Sequence, residues 1–150
     1  MEIRVFGVVG AGQMGRGIAQ VAAQSGLEVK LLDASRELAD KGRGRIVSTL
    51  DRLVERGKME ASERDAIAGR IEASSDYDLF AQADMVVEAA TESIELKQDI
   101  FRRADRAMQK PTGILASNTS SISLTKLAAV TSRPDRVIGM HFMNPVPLMK

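Results

Sequence analysis

The stretch GVVGAGQMGRG, residues 7–17, decides the fold. It places Gly10, Gly12 and Gly15 in the spacing G-x-G-x-x-G, with Gln13 and Met14 filling the loop. With twelve glycines in 150 residues, the spacing alone says little. Its context says more. The β-branched run IRVFGVV (3–9) leads into it, and a helical pattern leaves it, with Met14, Ile18, Val21 and Ala22 on one stripe. Each glycine then has a mechanical task. Gly10 permits a tight turn, Gly12 removes a side chain so that backbone can approach a pyrophosphate, and Gly15 lets helix and strand pack closely. The start of the helix adds free N–H groups for phosphate charge.

The next run, EVKLLD (28–33), ends in Asp33, 18 residues after Gly15. An acid at that place accepts hydrogen bonds from both hydroxyls of an adenosine ribose and repels a 2′-phosphate, which favours NAD over NADP. The other reading of Asp33 is a helix cap ahead of ASRE (34–37). Arg36, three residues on, is the one feature that softens the exclusion of NADP. Loop and acid together describe a dinucleotide-binding domain with NAD as its cofactor.

Working outward, the alternation continues through a weak RIEAS (70–74), DMVVEAA (84–90), GILASN (113–118) and RVIGMHF (136–142), with helical patterns between them. Such alternation argues for parallel βαβ units, and runs apolar on consecutive positions suit strands covered on both faces. The expected fold is α/β, a Rossmann-type doubly wound and mostly parallel sheet. A helix from Ser93 carries Leu96, Ile100, Phe101, Ala104, Ala107 and Met108 on one face, with Ser93 as N-cap and Pro111 as stop. Its acids come early (Glu92, Glu95, Asp99) and its arginines late (Arg102, Arg103, Arg106), matching the helix dipole. Between the second and third strands the chain is too long for one crossover helix. Residues 35–70 read as a helical insertion: a long amphipathic helix with Ile46, Leu50, Leu53 and Val54 inward, the turn RGKMEAS (56–62), and a shorter helix over about 62–69. A pair projecting from the sheet is expected to serve a substrate or partner.

Composition sets the outer limits. Twenty-one Lys and Arg against twenty Asp and Glu leave a net charge of +1, so no global field draws nucleic acid or an anionic membrane. Four Phe, one Tyr and no Trp give few platforms for stacking bases. No Cys and a single His, His141, leave no structural metal site to expect. No apolar run reaches membrane-spanning length and no targeting segment is visible, so the expectation is a soluble, cytoplasmic protein.

Two later strands end in side chains that carry chemistry, at the edge where open α/β sheets place their sites. The tract LASNTSSIS (115–123) holds Ser117, Asn118, Thr119, Ser120 and Ser121, whose plain reading is the capping of the next helix. RVIGMHF ends near His141, with Asn144-Pro145 just beyond. A lone histidine on an apolar strand is more often packed than catalytic. Its place at the sheet edge, beside a hydroxyl-amide cluster, favours the role of a base taking a hydroxyl proton.

GAGQMGRGIAQ (10–20), LLD (31–33), VVEAATE (86–92), SNTSSIS (117–123) and GMHFMNPVPLMK (139–150), in this order and spacing, resemble the N-terminal domain of the L-3-hydroxyacyl-CoA dehydrogenases. Within that family the likeness is greatest to the short bacterial members acting on 3-hydroxybutyryl-CoA. The resemblance implies that His141 is the general base for the 3-hydroxyl. Ser120 would contact both cofactor and substrate, and Asn144 the nicotinamide end of NAD. Glu92 and Lys97 match positions that reach the cofactor, against a plain reading as a first-turn acid and a solvated lysine. Asn118 matches an asparagine near the nicotinamide. Thr49 and Arg56 match coenzyme A contacts on the insertion, where Lys41, Arg43, Arg45, Arg52 and Lys58 add cations for its phosphates.

In the family a second, all-helical domain follows PVPLMK, supplying the glutamate that orients the histidine and most of a homodimer interface. Residues 1–150 are therefore expected to be the NAD-binding domain alone, a truncated chain that binds NADH and turns over poorly. The expected activity is interconversion of L-3-hydroxyacyl-CoA and 3-ketoacyl-CoA. The alternatives are oxidation of a free 3-hydroxy acid or sugar acid on the same fold, and a non-catalytic, crystallin-like NAD binder.

Overall fold

The protein is described from a computed structural model that covers residues 2–117 and 121–140. Six strands form one sheet: β1 (Val5–Val9), β2 (Glu28–Leu32), β3 (Ile71–Ser74), β4 (Met85–Glu88), β5 (Ile114–Ser117) and β6 (Val137–Gly139). Their order is β3-β2-β1-β4-β5-β6, and each ladder is parallel. Among the described residues five α-helices cover it: α1 (Gln13–Gln24), α2 (Arg36–Glu55), α3 (Ala61–Gly69), α4 (Ile94–Ala107) and α5 (Ser121–Ala128). The doubly wound expectation holds, with the described sheet parallel throughout. RIEAS, weak as a pattern, is a true edge strand; Ile71 and Ala73 are buried and Glu72 is exposed.

Successive strand residues feed opposite layers, which is why the runs are apolar on adjacent positions. Val8, Leu31 and Val87 pack with Ile18, Ile46 and Ile67 beneath α1, α2 and α3. Val9, Leu32 and Val86 pack with Phe80, Phe101 and Leu127 beneath α4 and α5. Among the described residues no helix is long and apolar enough to cross a membrane.

The insertion departs from its expected shape. α2 and α3 do not project from the sheet; they are part of the layer that covers it. Ala39, Gly42, Ile46 and Leu50 of α2 are buried, as is Ile67 of α3. Gly42 is the closest approach: a Cβ there would lie 2.5 Å from the Cβ of Ala11, so the helix rests directly on the glycine loop. Arg43, one of the cations assigned to coenzyme A, is also spoken for. Its Nε donates to the Ile71 carbonyl at 2.8 Å and its Nη2 to the Ala68 carbonyl at 2.7 Å, closing the end of α3.

One residue of α4 also differs. Leu96, expected inward, is 56% exposed, and its neighbour Lys97 is buried instead. The cause lies at the sheet edge, where Lys97 turns in to meet an acid on β4. Ser93 is the expected N-cap, accepting from Leu96 N–H at 3.4 Å.

Candidate functional site

The strand order reverses between β1 and β4, since the chain builds outward from β1 to β3 and then returns to the other side of β1. Open α/β sheets bind ligands in the crevice at the carboxyl ends of such a pair. Val9 pairs with Glu88 there, and the residues just beyond, Gly10 and Ala89, come from the two walls.

Gly10 has φ +110, a left-handed conformation that side chains resist, and a Cβ on it would lie 2.8 Å from the Ala89 carbonyl oxygen. A Cβ on Gly15 would lie 1.6 Å from the Gly10 carbonyl oxygen, so only glycine lets α1 start this close to β1. Gly12 is different. A Cβ there would meet nothing within 4 Å, and its backbone (φ −73, ψ −171) is open to any residue. Space is kept in front of Gly12, where the sequence reading brings a pyrophosphate. Gly12 is also the N-cap of α1 and supplies no side chain to it; the Arg16 N–H bonds the Gly12 carbonyl at 2.8 Å, and the earlier N–H groups point out of the helix start.

Asp33 joins this loop. Its Oδ2 accepts from Ala11 N–H at 2.8 Å and its Oδ1 from Ala34 N–H at 2.6 Å. The helix cap is instead Ser35, which accepts from Leu38 N–H at 3.1 Å, so the capping reading of Asp33 falls. Each carboxylate oxygen keeps a lone pair for a ribose hydroxyl. On one side of Asp33 lies a cavity of about 300 Å³, walled by Val9, Leu32, Tyr77, Leu96 and Ile100. Its apolar walls and slot position suit a flat base. Burial holds the Tyr77 hydroxyl above its ordinary pKa, against the opposing pull of Arg103, which lies 5.7 Å over its ring.

Across the crevice, Met14, Glu92 and Lys97 line a second cavity of about 430 Å³ with Glu88 and Thr91. Glu88 is 2% exposed, Lys97 6% and Ser117 fully buried. Lys97 Nζ forms an ion pair with Glu88 Oε1 and lies 3.3 Å from Ser117 Oγ, which donates to the same Glu88 oxygen at 2.8 Å. Glu88 Oε2 accepts from Ala90 N–H at 2.7 Å and Thr91 N–H at 3.2 Å. Lys97 is thus a buried lysine held by Glu88 and Ser117; the solvated reading is wrong. Sequence reasoning missed Glu88, although an acid inside the apolar run DMVVEAA was a signal for it.

Gly10, Gly12, Gln13, Met14, Gly15, Asp33, Glu92 and Lys97 are brought to one crevice. Thr49 and Arg56 are not: they lie farther along α2, where Thr49 Oγ1 bonds the Arg45 carbonyl at 3.0 Å and Arg56 is exposed at the helix end. Asn118, Ser120, His141 and Asn144 lie outside the described residues. The residues before them are neighbours: Ser117 pairs with Gly139, and Met140 N–H bonds the Ser117 carbonyl at 3.1 Å. The chain therefore enters both segments from adjacent points on the same edge.

Residues 5–150 match the sequence family described as 3-hydroxyacyl-CoA dehydrogenase, NAD binding domain. A probable 3-hydroxybutyryl-CoA dehydrogenase of Deinococcus radiodurans is 52% identical over 145 residues, covering 97% of this chain and 51% of that protein. A probable 3-hydroxybutyryl-CoA dehydrogenase of Bacillus subtilis is 48% identical, covering 100% of this chain and 52% of that protein. Among solved structures, the (S)-3-hydroxybutyryl-CoA dehydrogenase of Ralstonia eutropha superposes with a TM-score of 0.92 at 49% identity, over 99% of this chain and 52% of that one. The chain spans about half the length of the curated relatives it matches.

Proposed function

The chain belongs to the 3-hydroxyacyl-CoA dehydrogenase family, and from that premise we propose that it is the NAD-binding part of an enzyme interconverting L-3-hydroxyacyl-CoA and 3-ketoacyl-CoA. The observation that carries this is the open backbone at Gly12, set between Asp33 and the start of α1 at the sheet's switch point. Short acyl chains are the proposed substrates, as the names of the relatives support.

The described residues fit the cofactor. The N–H groups opening α1 would hold the pyrophosphate, Asp33 the adenosine ribose, and the cavity beside Tyr77 and Leu96 the adenine. Met14, Glu92 and Lys97 would flank the nicotinamide half. NAD, when bound, supplies the acceptor for the substrate's hydride. His141 takes the proton of the 3-hydroxyl, Ser120 orients that oxygen, and Asn118 and Asn144 bound the nicotinamide end. Thr49 and Arg56 contact coenzyme A along α2.

The complete enzyme would add the family's helical domain after residue 150, and with it the partner carboxylate for His141 and a homodimer interface. A cytoplasmic location agrees with this role. The test uses the protein carried through that domain, supplied with L-3-hydroxybutyryl-CoA and NAD, with His141→Gln alongside. NAD reduction that the variant loses supports the proposal. Equal silence of both would remove the acyl-CoA substrate in favour of a free hydroxy acid or a non-catalytic binder.

A further inference from the structure

Among the described residues an acid is buried at each end of β4: Asp84 just before it and Glu88 as its last residue. Asp84 stands at the end far from the crevice, where it accepts from the Arg4 and Val5 N–H groups and pairs with Lys110 at 2.9 Å. Glu88 stands at the crevice itself and lines the cavity of about 430 Å³ together with Met14, Thr91, Glu92 and Lys97.

Each oxygen of Glu88 already holds two donors. Oε1 takes Lys97 Nζ and Ser117 Oγ, and Oε2 takes the N–H groups of Ala90 and Thr91. The carboxylate is therefore spent on the protein and has no acceptor site left for a ligand. Lys97 is not spent. Among the described residues its ammonium meets Glu88 and, at 3.3 Å, Ser117 Oγ, so a third N–H is left for the cavity that Lys97 lines. Lys97 also shares the buried stripe of α4 with Phe101 and Ala104, where an apolar side chain would serve the core. Exchanging a buried ion pair for apolar residues of similar volume is often neutral or stabilising. Folding alone gives no reason for this pair at this place.

We propose that Glu88 is a positioning residue for cofactor binding: with Ser117 it holds the Lys97 ammonium at the wall of the cavity, ready for the nicotinamide riboside half of the dinucleotide. The inference rests on the proposed reading of this cavity as the nicotinamide side of the crevice. An exposed lysine gives up rotamer freedom when it meets a ligand. Lys97 has given it up on folding, so that cost falls on the fold and not on binding. Glu88 touches no ligand and acts through Lys97.

The chain and its Lys97→Met, Glu88→Gln, Ser117→Ala and Glu88→Gln/Lys97→Met variants are titrated by calorimetry with NADH and with ADP, and circular dichroism confirms folding. ADP carries the adenosine and pyrophosphate without the nicotinamide half. The wild type is expected to bind NADH more tightly than ADP. Lys97→Met and Glu88→Gln should each bind NADH about tenfold more weakly, with ADP unchanged. Gln at position 88 keeps an oxygen for the Ala90 and Thr91 N–H groups and removes the charge that holds Lys97. The double variant should bind NADH no more weakly than Lys97→Met alone, because Glu88 has nothing further to contribute once Lys97 is gone. Ser117→Ala keeps the ion pair and should lose several-fold for NADH; it carries the test should a single charge variant not fold. Losses shared equally by NADH and ADP, or no loss at all, overturn the positioning role, and so does a further drop in the double variant. A wild type that binds NADH no tighter than ADP takes the nicotinamide half out of this cavity, and the proposal with it. One that binds neither ligand overturns the glycine-loop reading itself.

Discussion

Lys97 of α4 and Glu88 of β4 form a buried ion pair at the carboxyl edge of the sheet, and Ser117 of β5 bonds to both. Three elements are locked together where the cofactor crevice opens, one residue before the Asn118–Ser120 segment.

Removing one partner leaves the other charged in a nearly dry place. Lys97→Met is expected to cost roughly 3–5 kcal/mol, because Glu88 then keeps a buried charge with only its N–H and hydroxyl donors. The pair Glu88→Gln/Lys97→Met should recover much of that loss, since no buried charge remains. Urea denaturation of the three proteins measures it. A single variant as stable as wild type would show that the pair holds nothing together.

Two glycines of one motif should fail in opposite ways. Gly15→Ala forces a Cβ to within 1.6 Å of the Gly10 carbonyl and is expected to cost about 1–3 kcal/mol or more. Gly12→Ala has room and an ordinary backbone, so stability should stay within about 0.5 kcal/mol. Its NADH affinity should nevertheless fall about tenfold or more, the loss of roughly 1.4 kcal/mol of close backbone contact. Thermal melts paired with NADH titration separate the two. Unchanged affinity in Gly12→Ala would remove the pyrophosphate from that space.

What was legible in the sequence was local. The geometry of the glycine loop and the Ser93 cap depends on spacing within a few residues and stands as read, while the ends of the last two runs, with Asn118, Ser120 and His141, lie outside the described residues. What was not legible needed contacts between distant elements. The inward stripe of α4 fits its residues from Ile100 onward, but Leu96 and Lys97 exchange places because Glu88 waits on another strand. α2 reads as a projecting helix until the close approach of Gly42 to Ala11 is seen. That one contact moves Lys41 and Arg45 from a general basic face to the rim of the cofactor loop. Asp33 sits against the glycine loop, where its position in the sequence put it, while the capping alternative could be dismissed only once Ser35 was seen to do that work.

Acid should weaken the fold through Asp84 at the start of β4. Burial pushes its carboxyl up, but Lys110 at 2.9 Å and the N–H groups of Val5 and Arg4 outweigh that and hold it down at about 2, from 3.8. A folded value below the unfolded one means the ionised acid favours the fold. Its contribution is full above about 3.8 and fades as pH falls towards about 2. Asp84→Asn should therefore lose roughly 1.5–3 kcal/mol at pH 7, and the gap to wild type should close near the folded value. Denaturation across that range reads it; a gap independent of pH would assign the loss to packing.

Leu96 and Lys97 are adjacent, yet their substitutions should report on different things. Leu96 is half exposed and gives its side chain to the slot beside Asp33, so it contributes little to the core. Leu96→Ser is expected to leave stability within about 0.5 kcal/mol of wild type. If the slot takes the adenine, NADH should bind several-fold more weakly, because a buried leucine contact is worth about 1.5 kcal/mol or more. Nicotinamide mononucleotide, which lacks the adenine, serves as the control and should bind both proteins alike. A loss shared equally by the two ligands would move the adenine out of this slot, and a loss of stability would return Leu96 to the core face where the helical spacing first placed it.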